Sequence, residues 1–392
     1  MKEKFLKILL NPKFIFGVYL IAAIVVTLSK FSRGQRAINN YLIFKNVFLH
    51  TLEQKNLYTE YPDLYFDTNF YGVFFSLIVF PFSIMPDWLG IILWNMANAV
   101  IFIYAIHKLP ISETKKAIFG LLCLQEFITA ASSLQFNIAL TGLLILSAIY
   151  IYERKEIKSV TAILIGVFVK LYGIIGLSQF FFIKNKIKFI FVGIAAAGLF
   201  FVAPMVYSSP QFVIQCYSDW FYALGPKNAH NQILGNMQDI SLMGFVRRIL
   251  GDAAISNLTF ISFGLPLFVL PYIRIKQYKN YAFQLMILSS SLLFLVLFSS
   301  GSESPTYIIA VAGVMIWFLL QKERTPIVWG MLIFVIILTC FSPSDLFPKS
   351  IKENYIIKYS LKAVPCIVVW LRIIYELMTR DFLFNKHYEL KK

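Results

Sequence analysis

The sequence predicts an all-α protein, a polytopic bundle of transmembrane helices that forms a single domain over residues 1–392. Of the 392 residues, 58% are hydrophobic and 17% are aromatic, which is more apolar surface than a water-soluble fold buries. Continuous apolar runs approach the roughly 20 residues that a helix needs to cross ~30 Å of hydrocarbon. Basic clusters separate these runs. We expect roughly 10–12 membrane segments.

The basic clusters set the predicted orientation. They occupy residues 1–13, 107–116, 153–158, 183–188, 274–279, 321–324 and 380–392. Lysine and arginine collect on the cytoplasmic side of membrane proteins, so both termini are predicted to be cytoplasmic in a bacterial inner membrane. The lysine-poor polar segments then face the periplasm or the exterior. The net charge of +16 is explained by this topology, so membrane lipids rather than nucleic acid are the expected surroundings.

The N-terminal apolar run is predicted to be a retained first helix, because no small-residue cleavage site follows it. It leads into a first external loop, residues 30–70. Within this loop, residues 39–55 place Tyr41, Phe44, Phe48 and Leu52 at helical spacing. This pattern predicts an amphipathic helix lying on the outer membrane surface.

Two apolar segments do not fit a simple crossing. Residues 71–85 are short and contain Pro81, which predicts a re-entrant or interfacial piece. Residues 159–183 lie between two basic loops and are interrupted near Lys170. This interruption predicts a helical hairpin whose irregular backbone is buried in protein. A second large external loop is expected at residues 207–257.

Carboxylates and aromatic rings are concentrated in the second half of the first external loop, LYTEYPDLYFDTNFYG. Aromatic faces stack against sugars, and carboxylates can act as general bases. Glu60 is therefore a candidate substrate-binding residue, and Asp67 is the first candidate catalytic base. Asp67 is closest to the next apolar segment, where we expect it to be shielded from water. A solvated loop with an interfacial aromatic belt fits the same pattern.

Two shorter segments add candidate substrate-binding residues. Gln135 and Asn137, in SSLQFN, could bind hydroxyl groups, although they could equally cap two helix ends. Lys170, in VFVKLYG, could contact a phosphate as a compact positive charge or extend its ammonium group to the interface.

The segment 227–248 combines hydrogen-bonding side chains with a pair of arginines, which suits a phosphate or pyrophosphate ligand. Arginines that meet lipid headgroups would give the same pattern. The candidates for substrate binding are His230, Asn231, Gln232 and Arg247.

Glu303, in SGSESPTY, is the second candidate catalytic residue. It stands at a predicted helix start just before Pro305, where the helix dipole stabilises a carboxylate. A purely structural role is therefore an alternative for Glu303.

Several motifs of soluble enzymes are missing. The sequence has no phosphate-binding glycine loop, no HExxH and no CxxC, so no cofactor and no metal site is predicted. The four cysteines are widely spaced and are interpreted as small apolar residues. A sugar donor at the outer face would have to be carried by lipid.

An ordered set of segments resembles glycosyltransferase family 87. It comprises the predicted surface helix, NLYTEYP, FPFSIMPDWLGIILWNMAN, LQFN, ILIGVFVKLYGIIGL, and HNQILG with the arginine pair. The resemblance implies the GT-C membrane fold and transfer of a mannose-like hexose from a polyprenyl-phosphate sugar. The implied acceptor is a lipid or glycan on the outer face of the membrane.

One position departs from the family pattern. The family usually carries a catalytic aspartate early in the surface helix, and the matching residue here is Asn40. An asparagine cannot take a proton from a hydroxyl group, so Asn40 is expected only to contact substrate. The base is then Asp67 or Glu303. A transporter or flippase, or a non-catalytic binder of lipid-linked sugars, is the alternative function.

Overall fold

The computed structural model describes residues 8–344 and 347–382, and this part of the chain is helical without any β-strand. The predicted all-α fold is confirmed. The basic clusters at residues 1–13 and 380–392 fall largely outside the described residues. In chain order the α-helices are α1 (Pro12–Phe31), α2 (Asn39–Glu53), α3 (Phe75–Ser83), α4 (Asp87–Lys108), α5 (Glu113–Ser132), α6 (Asn137–Tyr152), α7 (Glu156–Val169), α8 (Lys186–Val202), α9 (Pro210–Asn231), α10 (Leu242–Leu250), α11 (Asn257–Val269), α12 (Tyr281–Leu297), α13 (Tyr307–Leu319), α14 (Pro326–Phe334), α15 (Lys349–Ile351) and α16 (Val364–Thr379).

Three helical segments of the described chain are long and apolar enough to cross a membrane: Pro12–Phe31, Asp87–Lys108 and Lys186–Val206. Six further apolar helices of 10–17 residues accompany them. The protein is therefore a polytopic helical membrane protein. The larger number of crossings inferred from sequence stays a prediction.

Helix α13 forms the centre of the bundle. Every residue from Tyr307 to Leu319 is buried, as expected of a helix that is apolar on all faces. It packs against α12 and α5, and α12 also packs against α16. Helix α8 is apolar after its first turn, yet Phe189 is its only buried residue. The apolar surface of α8 therefore lies on the outside of the bundle, where lipid would cover it.

The predicted amphipathic helix forms as α2, but protein covers most of it. Tyr41, Phe44 and Phe48 are buried, whereas Leu52 is 52% exposed. Phe44 packs edge-on against Trp94 of α4, with 5.8 Å between ring centroids. The helix is wedged between α3 and the rest of the bundle, since α3 packs along it.

The segment 71–85 does not form a full crossing, as predicted. Its helix α3 has nine residues and contains Pro81. At 1.5 Å per residue such a helix spans roughly 14 Å, about half of the ~30 Å hydrocarbon layer. Helix α3 instead covers α2 and helps to fix the loop that precedes it.

The predicted hairpin forms at residues 159–183. Helix α7 ends at Val169, Lys170 is extended, and a 3₁₀-helix runs back over Leu171–Phe182. The two arms touch at Gly166 and Gly173, where a Cβ added to Gly173 would lie 2.2 Å from the backbone nitrogen of Val167. Glycine is required here because the two backbones are in contact. The turn holds Lys170 at one end of the bundle.

All four cysteines of the chain are buried. This confirms that they serve as small apolar residues within the core.

Candidate functional site

A cavity of about 420 Å³, here called the inner cavity, lies where loops and helix ends from distant parts of the chain meet. Its walls come from α2, the loop before α3, the α5–α6 connection, the hairpin turn, the end of α9 and residues 299–303. The structure brings together six of the residues singled out from sequence: Asn40, Asp67, Gln135, Lys170, Asn231 and Glu303.

A continuous chain of hydrogen bonds links Lys170, one of the two lysines of this cavity, to the carboxylate of Glu303. Lys170 Nζ donates to Asn137 Oδ1 at 3.1 Å, and Asn137 Nδ2 donates to Gln135 Oε1 at 2.7 Å. Gln135 Nε2 then donates to Glu303 Oε2 at 3.1 Å. Each bond fixes the orientation of the next side chain. Asn137 is fully buried and lies behind the cavity wall, where it positions Lys170 and Gln135.

Glu303 is half-buried and points into the inner cavity. Its second carboxylate oxygen accepts a hydrogen bond from Gln238 Nε2 at 3.4 Å. Its backbone caps the 3₁₀-helix Ser304–Thr306, which leads directly into α13. The carboxylate thus stands at the helix start that the sequence predicts, held by amide donors on both oxygens.

Asp67 has a more open environment. Its Oδ1 accepts a hydrogen bond from the Thr68 N–H at 2.8 Å, and its Oδ2 lies 3.5 Å from Lys227 Nζ. The side chain is 49% exposed, so the expected shielding from water is not found. Asp67 is exposed because its loop lies between two open cavities. Its backbone has a left-handed φ of 71°.

The second of these cavities, here called the outer cavity, has a volume of about 790 Å³. Glu60 and His230 line it together with several aromatic rings, including Tyr58. Burial raises the pKa of the Tyr58 phenol well above its ordinary value, so this hydroxyl remains protonated. The inner and outer cavities share a wall formed by Asp67, Thr68, Phe70, Lys227 and Gln238.

Lys227 is the main site residue that the sequence analysis did not single out. Its ammonium group lies over the Phe70 ring at 4.5 Å from the centroid and is 18% exposed. The sequence predicts an external loop at residues 207–257, but α9 occupies Pro210–Asn231 within it. The sequence does contain an indication that Lys227 belongs to the site. Lys227 and the candidate Asn231 are four residues apart, so on a helix they share one face.

Three predicted residues, Asn137, Gln232 and Arg247, do not line either cavity. Gln232 is the residue that ends α9. Arg247 is fully buried and donates to Asp239 Oδ2 at 2.6 Å and to the Ile255 carbonyl at 2.9 and 2.7 Å.

Arg247 acts on the cavity wall indirectly. It also donates to Asn257 Oδ1, and Asn257 Nδ2 contacts Asn228 at 3.1 Å and Ser300 at 3.3 Å. Asn228 and Ser300 both line the inner cavity. The arginine therefore braces the wall from behind and is not positioned to meet a ligand in the cavity.

The inner cavity contains hydrogen-bonding capacity that the described residues do not use. Asn231 Oδ1 and Gln238 Oε1 are buried acceptors without a hydrogen-bond partner in this part of the chain. Buried polar atoms are rarely left unpaired, since each one costs about 1–3 kcal/mol. A side-chain rotation that turned these oxygens into the cavity would let them accept hydrogen bonds from a ligand rich in hydroxyl groups.

Asn40 lines the inner cavity from α2. Its Nδ2 donates to the Ser133 carbonyl at 2.7 Å, so the side chain joins α2 to the α5–α6 connection. No group of three or more histidine, cysteine, aspartate or glutamate side chains among the described residues could hold a metal ion.

Comparison with known proteins gives one family. The model of glycosyltransferase family 87 matches residues 69–300, a range that includes the hairpin, α9 and most of the inner cavity wall. No protein of curated function matches the chain.

Proposed function

The chain belongs to glycosyltransferase family 87, and from this membership we propose that it transfers a hexose from a polyprenyl-phosphate sugar to a lipid or glycan acceptor. Family membership implies a membrane glycosyltransferase. The donor, the mannose-like sugar and the outer face of a bacterial inner membrane are our proposal.

The observation that carries this proposal is the content of the inner cavity. Two acidic side chains (Asp67, Glu303), two lysines (Lys170, Lys227) and the amide residues Asn231 and Gln238 line one space of about 420 Å³. A sugar phosphate needs these chemical groups: cations for the phosphate and acceptors for the sugar hydroxyls.

We assign the donor to the inner cavity and the acceptor to the outer cavity. The outer cavity has aromatic rings suited to stacking on sugars, and it is lined by Glu60, Asp219 and His230. Asp67 belongs to both cavities. It is therefore placed where the acceptor hydroxyl would meet the anomeric carbon.

In the proposed step, Asp67 accepts the proton of the acceptor hydroxyl as its oxygen attacks the anomeric carbon. The bond between this carbon and the phosphate oxygen breaks, and the electron pair leaves with polyprenyl phosphate. Lys170 and Lys227 compensate the charge that develops on the phosphate. Glu303 is held by two amides, which suits it to orienting the sugar, and it is our second candidate base.

The test is transfer of labelled sugar from a polyprenyl-phosphate donor by purified protein, comparing Asp67→Asn and Glu303→Gln with the unaltered chain. We expect Asp67→Asn to lower the rate by about 100- to 10,000-fold, the range of general-base catalysis. A smaller loss for Glu303→Gln would fit an orienting role. Full transfer by both variants would remove the proposed mechanism.

Asp63→Asn is the matched control. Asp63 is an exposed carboxylate four residues before Asp67 on the same loop, and it lines neither cavity. It should keep normal activity. Release of free polyprenyl phosphate by the unaltered protein separates a transferase from a transporter or a silent binder, because neither of these breaks the sugar–phosphate bond.

A further inference from the structure

A separate cavity of about 600 Å³ lies at the same end of the bundle, next to the inner cavity. Glu303 lines the inner cavity, and the following residue, Ser304, lines this one. Four basic side chains reach it, and no aspartate or glutamate occurs among its described lining residues. We call it the cationic cavity, and its basic residues are Arg33, Arg248, Lys352 and Lys362.

Arg248 contributes a buried charge that no carboxylate of the described residues contacts directly. Its guanidinium donates to the carbonyls of Asp239, Asn236 and Gln238 at 2.7–2.9 Å and to Ser360 Oγ at 2.5 Å. The nearby Asp239 carboxylate is bonded to Arg247 and Ser241 instead. Arg248 is 9% exposed, and its Nε is buried without a hydrogen-bond partner among the described residues.

The other cations differ in how far they are neutralised. Lys362 is bonded to the Glu126 carboxylate at 2.8 Å, so its charge is compensated from outside the cavity. Arg33 is exposed, and within residues 8–344 and 347–382 its side chain makes one hydrogen bond, a 3.4 Å contact to Ser29 Oγ. Arg33 and Arg248 therefore leave excess positive charge, one at the rim and one in the wall.

The remaining walls of the cationic cavity are largely apolar. Ile128, Ile240, Ile356 and Ile357 line it together with Met237 and Pro343. Free phosphate would leave these side chains unused. An amphiphile with an anionic head and a hydrocarbon tail would satisfy both the guanidinium groups and the isoleucines.

We propose that the cationic cavity binds the phosphate headgroup of an anionic membrane phospholipid, with Arg33 contacting the phosphate at the rim, Arg248 supplying positive charge from within the wall, and the isoleucines contacting the upper part of an acyl chain. This site is distinct from the transfer site. Because Gln238 both accepts from Arg248 through its carbonyl and lines the inner cavity, a bound lipid would steady the wall of the inner cavity.

The proposal is tested by thermal unfolding of purified full-length protein in neutral detergent, titrated with phosphatidylglycerol, phosphatidylcholine or inorganic phosphate. We expect phosphatidylglycerol to raise the melting temperature in a saturable manner, since a ligand that binds only the folded state stabilises it. Phosphatidylcholine and inorganic phosphate should have little effect. Arg33→Gln should weaken the apparent affinity for phosphatidylglycerol about 10- to 100-fold, the range of one charge-assisted hydrogen bond.

Arg36→Gln is the matched control, because Arg36 is also exposed, lies three residues further on and does not line the cationic cavity. It should bind phosphatidylglycerol like the unaltered chain. Equal weakening by both variants would indicate general attraction to anionic lipid and overturn the site. A matching shift with inorganic phosphate would show a free-phosphate site instead, and no shift would remove the proposal. None of these readouts depends on sugar transfer.

Discussion

Asn40, which the family resemblance aligns with a catalytic aspartate, lies before the matched residues 69–300, and its amide group has a structural partner. The Nδ2 group donates to the Ser133 carbonyl at 2.7 Å. An ionised aspartate has no proton to donate, so it would place two oxygen atoms against each other. The local structure thus favours asparagine at position 40.

Replacing Asn40 by aspartate should therefore destabilise the fold. We expect Asn40→Asp to lower the free energy of unfolding by about 1–3 kcal/mol, the cost of an unsatisfied buried group, measured by thermal unfolding in detergent. Asn185→Asp is the control, since Asn185 accepts from the Lys188 N–H at the start of α8 and aspartate caps helices equally well. Unchanged stability of Asn40→Asp would contradict this account.

At the level of single residues, the sequence predicts which polar side chains lie near the site, but it does not predict which residues they contact. Polar residues next to apolar segments, such as Gln135, Lys170 and Glu303, could be selected because such residues are costly there. Their hydrogen-bonded chain could not be predicted, since Gln135 and Glu303 are 168 positions apart. The sequence predicts that Arg247 binds a ligand, but its partner in the structure is Asp239. This pairing could not be predicted, because it depends on how the segment between the two residues folds.

At the level of elements, the hairpin of α7 and the 3₁₀-helix Leu171–Phe182 determines where Lys170 stands. Its arms pack so closely that the Cα of Gly173 touches the backbone around Gly166. The break near Lys170 was predictable because a cation interrupts an apolar run between two basic loops. The 3₁₀ geometry of the second arm was not, since runs longer than 3–4 residues are uncommon and this one has 12.

This close packing makes Gly173 a sharp test of the hairpin. Gly173→Ala would place its Cβ 2.2 Å from the Val167 nitrogen, and the backbone must shift. We expect a loss of about 1–3 kcal/mol, as for other overpacked sites, together with lower transfer activity because Lys170 moves.

Gly198→Ala in α8 is the matched control, because no other atom lies within 4 Å of the added Cβ. Alanine is also the better helix former, so this variant should be at least as stable as the unaltered protein. Equal stability of the two alanine variants would show that the arms of the hairpin separate easily.

At the level of the whole molecule, a buried ion pair joins the N-terminal and C-terminal halves. Lys362 Nζ lies 2.8 Å from Glu126 Oε1, and the two side chains are 3% and 0% exposed. Lys362 also donates to Ser304 Oγ at 3.0 Å, next to Glu303. The pair thus connects α5, the start of α16 and the segment that carries a site carboxylate.

Breaking this pair from one side should be costly. Lys362→Met leaves the Glu126 carboxylate buried without its partner, and we expect a loss of about 3–5 kcal/mol in the free energy of unfolding. The double variant Lys362→Met/Glu126→Leu should recover most of this loss, because no charge remains buried. Unfolding in mixed detergent micelles measures both.

The exposed pair of Lys349 and Glu353, at 3.8 Å, supplies the control. Lys349→Met should leave stability unchanged, since exposed ion pairs are screened by water. If Lys362→Met were equally harmless, the buried pair would have no part in holding the two halves together.

The burial of all four cysteines has a practical consequence. A maleimide that cannot cross the bilayer finds no sulfhydryl group at the surface of the unaltered protein. A single cysteine placed at exposed Asp63 would then be the sole point of attachment, with no need to mutate the native four. Comparing intact cells with inverted vesicles would report, from one added residue, which compartment the loop before α3 faces.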